Sequence, residues 1–264
     1  MKVVLFCGGQ GLRMREFSGS VPKPMAPIGS RPVLWHVMRY YAYFGHRDFV
    51  LCLGYRGEVI KQYFLHYDET VSNDFVLADG GKSIELLNAD IQDWRIAFVD
   101  TGPDATIAER LLAVKPHLAD EPMFLANYAD GLTDAPLGEL LADFTGREKV
   151  AGFVSVRPPQ TFHVLTTGAD GEVTAITHVR DSNIWMNGGY FMFRNSIFDY
   201  INPGEDLVVE PFQRLIEQHQ LVAYRHDGFW RAMDTIKEMQ ELEALHEAGN
   251  PPWALWQRGD SPDG

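Results

Sequence analysis

The sequence predicts an α/β fold: a mostly parallel central sheet flanked by helices, with a small β-rich part in the second half. Three observations carry this. The first third alternates short apolar runs with amphipathic stretches in the order strand, helix, strand, helix, the pattern of a parallel sheet covered on both faces. The first two apolar runs end in glycine, Gly8-Gly9 and Gly54, where the chain leaves a buried strand and turns. Beyond residue 151 the texture changes to short strand-like runs separated by turn residues.

Taken in order, Lys2 to Cys7 is an apolar run that reads as a buried strand. Arg31 to Tyr43 places Val33, Leu34, Val37, Met38 and Tyr41 at helical spacing, with Gly45 as its stop. Asp48 to Leu53 is a second strand and Glu58 to His66 a second helix. Residues 68 to 93 are mixed and polar, with Asp79-Gly80-Gly81 as a turn. A loop or hairpin excursion is expected there, with a use in oligomer contacts. Trp94 to Val99 is a strand, Ile107 to Val114 a helix, Pro122 to Ala126 a strand and Leu137 to Phe144 a helix. The second half offers strand-like runs at Gly152 to Val156, Phe162 to Thr166, Val173 to His178 and Tyr190 to Phe193. Gly171 suggests a hairpin. Leu207 to His219 reads as a helix, Val222 to Arg225 as a strand and Ile236 to Ala248 as a helix, before a Pro- and Gly-rich tail.

A chain of 264 residues suits one large α/β domain. The formal net charge of −13 argues against a general nucleic-acid surface and against an anionic membrane surface, both of which need basic patches. It leaves room for phosphate ligands in a locally positive cleft. No stretch approaches the roughly eighteen apolar residues of a membrane span. The N-terminal apolar run is too short for a signal peptide. Cys7 and Cys52 both lie in apolar runs and are expected as buried free thiols, which fits a cytoplasmic location.

The chemistry gathers at the amino terminus. Gly8-Gly9-Gln10-Gly11-Leu12-Arg13 follows the first strand, and Val21-Pro22-Lys23-Pro24-Met25 follows shortly after. Glycines let the backbone approach a ligand, and exposed N–H groups in such a turn favour anions. Arg13 and Lys23 add positive charge, and the prolines restrict the segment around Lys23. The pieces suggest a polyphosphate cradle with a clamped lysine. The dinucleotide fingerprint is broken, because Met14 stands where its third glycine belongs, which counts against a dehydrogenase. Gly81-Lys82-Ser83 is no Walker loop, because Val76 replaces the required glycine. The bland reading of the same stretch is a strand ending in a flexible turn.

Together these motifs resemble the sugar-phosphate nucleotidylyltransferase family, whose signature is Gly-Gly-x-Gly-x-Arg followed by Pro-Lys-Pro-Met. Further matches are Pro32-Val33-Leu34-Trp35-His36, Gly54-Tyr55, Val99 to Gly102, Asp130-Gly131, Asn187-Gly188-Gly189, and Gly228-Phe229-Trp230 running to Met233-Asp234-Thr235. Within the family this set is similar to the glucose-1-phosphate cytidylyltransferase branch, over nearly the whole chain. The resemblance implies a Rossmann-like nucleotidyltransferase fold in a single domain. Residues 1–150 would mainly bind the nucleotide, 151–250 mainly the acceptor, and 251–264 form a tail.

The resemblance also implies the reaction: cytidylyl transfer from CTP, or another nucleoside triphosphate, to a small phosphorylated acceptor of the sugar 1-phosphate class, with release of pyrophosphate. It assigns magnesium to Asp130 and Asp234. Magnesium is content with a few carboxylates plus waters and phosphate oxygens. Arg13 would contact the leaving pyrophosphate and Lys23 the α-phosphate. Gly8, Gly9, Gly11, Thr101, Arg110 and Asp130 would form the nucleotide site. Asn187, Gly188 and Glu210 would hold the acceptor. A homo-oligomer is expected. Read alone, Asp130 is an Asp-Gly turn far more often than a metal ligand, Asp234 is also a helix cap, and Arg110 is equally a helix-surface charge. Asn187 is equally a turn residue, and Glu210 a charge at a helix N-terminus.

Four departures from the family pattern stand out. Leu12 replaces a small hydroxyl residue in the loop. Glu109 replaces the glycine before Arg110 and brings a negative charge towards the base pocket. Phe162-His163 replaces a Phe-Gly pair. The Glu-Lys-Pro segment before Asn187 is missing, and Thr177 to Asp181 stands there instead. Arg180 is the candidate to take over that lysine's phosphate contact. The departures on the acceptor side make a different phosphate acceptor one rival reading, and Leu12 with Glu109 make a degenerate nucleotide-binding regulatory subunit another.

Overall fold

The computed structural model describes residues 1–9 and 21–258. β1 (Lys2–Phe6) opens the chain. A small ribbon of β2 (Pro27–Ile28) and β3 (Arg31–Pro32) leads into α1 (Val33–Tyr43), followed by β4 (Asp48–Leu53) and α2 (Gly57–Leu65). The hairpin β5 (Phe75–Ala78) and β6 (Ser83–Leu86) precedes β7 (Arg95–Asp100), α3 (Ile107–Val114), β8 (Met123–Asn127), β9 (Gly131–Thr133) and α4 (Leu137–Arg147). The second half runs β10 (Ala151–Val156), β11 (His163–Thr167), β12 (Val173–His178), β13 (Met186–Arg194), α5 (Glu210–Glu217), β14 (Leu221–His226), β15 (Trp230–Ala232) and α6 (Ile236–Glu247).

Seven strands form the central sheet in the order β14-β10-β13-β8-β1-β4-β7. β13 runs antiparallel to both its neighbours, and the other pairings are parallel. The sheet divides two apolar layers, because side chains of a strand alternate between its faces. Val3, Leu5, Phe49, Leu51 and Leu125 point into one layer, and Val4, Phe6, Val50, Phe124 and Ala126 into the other. The first layer is closed by α1, by Leu242 of α6 and by Trp253; the second by Leu111 and Val114 of α3 and by Phe212 and Leu215 of α5. Strands buried on both faces read as continuous apolar runs, as the sequence of β1, β4 and β8 does. Cys7 and Cys52 are buried and free. Among the described residues no helix is long and apolar enough to cross a membrane.

Several boundaries move from the sequence expectation, each for a local reason. The helix expected from Arg31 starts at Val33, because Arg31 and Pro32 pair with Ile28 and Pro27 and Pro32 is its cap. The helix expected from Leu207 starts at Glu210, with Pro211 in its first turn, where a missing N–H costs nothing. The strand expected over Tyr190 to Phe193 extends back to Met186 and takes in the Asn187-Gly188-Gly189 motif. The excursion at 68–93 contains an antiparallel hairpin exposed on both faces. β9 and β15 were not expected; three residues are too few to show a period.

Candidate active site

Three loops meet above the carboxyl ends of β1, β4 and β7. Glycine is required where they touch. A side chain at Gly54 would come within 2.7 Å of Gly8 O and 2.8 Å of Gly102 O. A side chain at Gly8 would stand 1.9 Å from the guanidinium of Arg110. That guanidinium is buried and donates to Gly8 O (3.1 Å), Thr101 Oγ1 (2.6 Å), Pro103 O (3.3 Å) and Leu53 O (3.4 Å). Arg110 is therefore no helix-surface charge. It is the cross-link that holds the glycine turn against its two neighbours. Its pKa is lowered by burial, yet an arginine keeps its proton in such a setting.

Lys23 reaches the same region from below. Met25 N–H donates to Pro22 O (2.8 Å) and Ala26 N–H to Lys23 O (3.0 Å), so the Pro-Lys-Pro segment closes a single tight turn with Pro24 and Met25 buried. The lysine ammonium donates to Asp130 Oδ2 at 2.5 Å and also to Asp234 Oδ1.

Two local devices bring those carboxylates there. After β8, Ala129 adopts φ +64°, and its N–H donates to Asn127 Oδ1 (2.9 Å), which reverses the chain into Asp130. β9 then pairs antiparallel with β15, Gly131 opposite Ala232, and Met233 N–H donates to Asp130 O (3.0 Å). The ribbon delivers Asp234 beside Asp130. The cap of α6 is Thr235, reciprocated by Glu238, and not Asp234. The carboxylate of Asp234 is left to the site.

Burial pushes the Asp130 carboxyl up, against the opposing pull of Lys23. Burial also pushes the Lys23 ammonium down, but Asp130 and Asp234 outweigh it and leave the net value raised. Two hard oxygen donors already converging on one cation suit magnesium, with water and phosphate oxygens supplying the remaining positions. No group of three or more His, Cys, Asp or Glu suited to a metal occurs among the described residues.

These residues lie in a cleft of about 840 Å³, whose wall includes Gly9, Lys23, Arg110, Asp130, Asn187 and Asp234. Gly188 also lines it, and its carbonyl accepts from Trp230 Nε1 at 2.8 Å. Asn187 sits in a register shift between β10 and β13. Its Oδ1 accepts from Gly189 N–H (2.8 Å) and its Nδ2 faces Tyr128 Oη (3.4 Å). Gly189 has φ +77°, and a side chain there would strike the Tyr128 ring at 2.4 Å. Thr101 stands behind the wall, holding Arg110 and donating to Leu53 O at 2.8 Å. Gly11 and Arg13, with Leu12, lie outside the described residues.

Two acceptor candidates are not brought to the cleft wall. Arg180 is exposed on the turn Val179–Asp181. Glu210 is exposed at the start of α5, where its carboxylate accepts from Asp206 N–H at 3.0 Å. Asp206 itself lines the cleft, with Tyr128, Trp230 and the segment Pro103 to Ile107. Pro103 to Ile107 lies between the nucleotide candidates Thr101 and Arg110, whereas Asp206, Tyr128 and Trp230 were not singled out from the sequence. Tyr128 and Trp230 lie inside or beside quoted motifs, which was a usable signal; Asp206 carried none. Glu109 does not line the cleft itself, although its charge acts on Arg110 beside it. It closes a capping box with Thr106: Thr106 N–H donates to Glu109 Oε2 (2.8 Å), and Glu109 N–H to Thr106 Oγ1 (3.2 Å).

A family model described as nucleotidyl transferase matches residues 2–247. A protein of Bacillus subtilis named "Probable glucose-1-phosphate cytidylyltransferase" is 36% identical over 258 residues, covering 97% of this chain and all of that one. The glucose-1-phosphate cytidylyltransferase of Salmonella typhimurium is 35% identical over 260 residues, with 97% and 100% coverage. Among solved structures, UDP-glucose pyrophosphorylase complexed with UDP-glucose shares the fold at a TM-score of 0.69 and 12% identity, covering 94% of this chain and 99% of the other.

Proposed function

Because the chain belongs to the nucleotidyl transferase family, we propose that it transfers a cytidylyl group from CTP to a sugar 1-phosphate, glucose 1-phosphate or a related acceptor, and releases pyrophosphate. The observation that carries this reading is the meeting of Lys23 with both Asp130 and Asp234 in one cleft. The near full-length likeness to cytidylyltransferases supports the choice of base and acceptor.

In the reaction an oxygen of the acceptor phosphate attacks the α-phosphorus of CTP. The new P–O bond forms as the bond to the β-phosphate oxygen breaks in line with it. The attacking oxygen is already ionised, so no general base is needed. Catalysis then rests on positioning and on charge stabilisation. Lys23 is assigned to the α-phosphate, and Arg13 to the leaving pyrophosphate. Arg110 and Thr101 hold the Gly8-Gly9 turn rigid, so that its N–H groups face the nucleotide already ordered. Asp130 and Asp234 are the residues that would hold magnesium. When bound, the ion supplies charge neutralisation and orientation of the phosphates. Asn187 and Gly188 are assigned to the acceptor.

Residues 1–150 then serve mainly the nucleotide and 151–250 mainly the acceptor. The hairpin of β5 and β6 is assigned to contacts between copies in a homo-oligomer, since Leu77 is 60% and Ile84 56% exposed. Light scattering of Leu77→Glu, expected to dissociate the assembly, checks this.

The related-acceptor reading rests on the acceptor-side departures from the family pattern, Phe162-His163 and Thr177 to Asp181. Pyrophosphate release, with CTP, dTTP, UTP and GTP each paired with a panel of sugar phosphates, tests both readings. Turnover is expected with CTP. Full activity on glucose 1-phosphate alone removes the altered-acceptor reading. Nucleotide binding without turnover on any acceptor removes the enzymatic one.

A further inference from the structure

Asp130 and Asp234 are joined through a ribbon of three residues per strand. Two strands of that length do not hold a register by themselves. A slip of one residue moves a side chain by about 3.3 Å and turns it to the other face. The register therefore needs a pin.

The pin lies at the end of the ribbon away from the cleft. Asp134 Oδ1 accepts two hydrogen bonds, from Phe229 N–H at 2.7 Å and from His226 Nε2 at 2.7 Å. Asp134 N–H returns to Phe229 O (3.2 Å), and Thr133 Oγ1 donates to the same carbonyl at 2.8 Å. His226 is the last residue of β14 and is held in the central sheet opposite Val156. One carboxylate thus ties β9 both to the start of β15 and to the edge of the main sheet. The turn between is built around this contact. A side chain at Gly228 would stand 2.6 Å from Asp134 Oδ1 and 2.5 Å from the His226 ring. Neither Asp134 nor His226 lines the cleft.

We propose that Asp134 and His226 are positioning residues: their hydrogen bonds set the register that brings Asp130 and Asp234 to a single cation. The proposal rests on the reading that this carboxylate pair holds a divalent ion. Residues that orient metal ligands without touching the metal commonly govern affinity by 10- to 100-fold, because a carboxylate pair binds an ion only at the right separation.

The test is Mn²⁺ titration of the full chain without nucleotide, read by electron paramagnetic resonance of the free ion, alongside melting temperatures. The variants are Asp134→Ala, Asp134→Asn, His226→Ala, His226→Gln and Asp130→Asn. Asp134→Ala is expected to weaken Mn²⁺ binding by about tenfold. Asp134→Asn keeps a carbonyl acceptor and is expected to recover most of the loss. His226→Ala is expected to weaken binding less than Asp134→Ala, and His226→Gln, which restores an N–H donor, to recover it. Should Asp134→Ala fail to fold, the His226 pair decides by the same criterion. Binding lost in Asp130→Asn but unchanged in Asp134→Ala and His226→Ala overturns the positioning role alone, whatever the melting temperatures do. A wild type that binds no Mn²⁺, or an Asp130→Asn variant that binds it normally, overturns the metal reading and this role with it.

Discussion

The ammonium of Lys23 lies 2.5 Å from a carboxylate oxygen of Asp130, 107 residues further along the chain. The same ammonium holds Asp234, at a separation of 211 residues. One ammonium thus bridges two acids that the fold has forced together.

Lys23→Met is expected to lower turnover by two to three orders of magnitude, about 3–4 kcal/mol of transition-state stabilisation. It also leaves two carboxylates facing each other. Asp130 is largely sheltered and Asp234 is 44% exposed, so the stability loss is expected near 2 kcal/mol rather than the larger cost of a fully buried charge. Urea unfolding with and without Mn²⁺ checks this. The ion is expected to restore stability and not turnover. In the wild type the raised Lys23 pKa sets the sign of the pH dependence: its contribution is complete below about pH 10.4 and is lost as pH rises through the higher folded value. A variant as stable as wild type at neutral pH would show that the contact contributes nothing.

Gly8 and Arg110 are expected to be strongly coupled. Gly8→Ala pushes the guanidinium out of its seat, because the two groups cannot occupy the same space. Arg110→Ala leaves the buried Gly8 carbonyl without its guanidinium donor, at about 1–3 kcal/mol. Once Arg110 is gone, Gly8→Ala meets little resistance. In a double-mutant cycle the combined loss is expected to fall short of the sum by more than 1 kcal/mol. Strict additivity would mean that the clamp does not exist in solution.

Glu109 is expected to matter for stability and not for the base pocket. Thr106→Ala and Glu109→Gly should each cost about 1 kcal/mol, since each removes one half of the capping box. The KM for CTP at saturating acceptor is expected to stay within a factor of two in Glu109→Gln. A Glu109→Gly variant that binds CTP several-fold more tightly would return Glu109 to the role its sequence position first suggested.

Glu205 ties the loop that carries Asp206. Its carboxylate takes a forked bond from Arg214, with one contact at 2.9 Å, and also accepts from Asn202 N–H at 2.9 Å. The Arg214 and Asn202 hydrogen bonds hold its pKa down at about 2, against an ordinary 4.5. A depressed acid contributes stability that is complete above the unfolded value and fades as pH falls through the folded one. Glu205→Gln is therefore expected to be less stable than wild type at pH 7, with the difference closing between about pH 4.5 and about pH 2. Melting curves across that range check it. A gap independent of pH would assign the effect to packing.

How much of the site could be read beforehand differs from residue to residue. Lys23 was legible because prolines flank it, and prolines constrain the chain locally whatever surrounds it. Asp130 and Asp234 were legible as members of motifs, but nothing within reach of either residue says that they meet. Their meeting depends on β9 and β15, too short to carry a periodic signal. Arg110 was visible as a candidate and ambiguous in role. Whether a helical arginine faces solvent or three backbone carbonyls is decided by what packs over it. Asp206 was invisible, since an acid in a polar loop looks alike in any loop.

By itself the sequence determined the strands and helices whose apolar period is long enough to outweigh local chance. It also determined the glycines and prolines that limit where the backbone turns. Only the tertiary structure decided where each polar side chain went: Asp234 to Lys23 and not to a helix cap, Arg110 to the clamp and not to the surface, Glu109 to the capping box and not to the cleft wall. The reason is physical. Backbone preference acts over a few neighbouring residues, whereas the fate of a charge depends on the dielectric and the partners around it, and the fold supplies both from segments up to two hundred residues away.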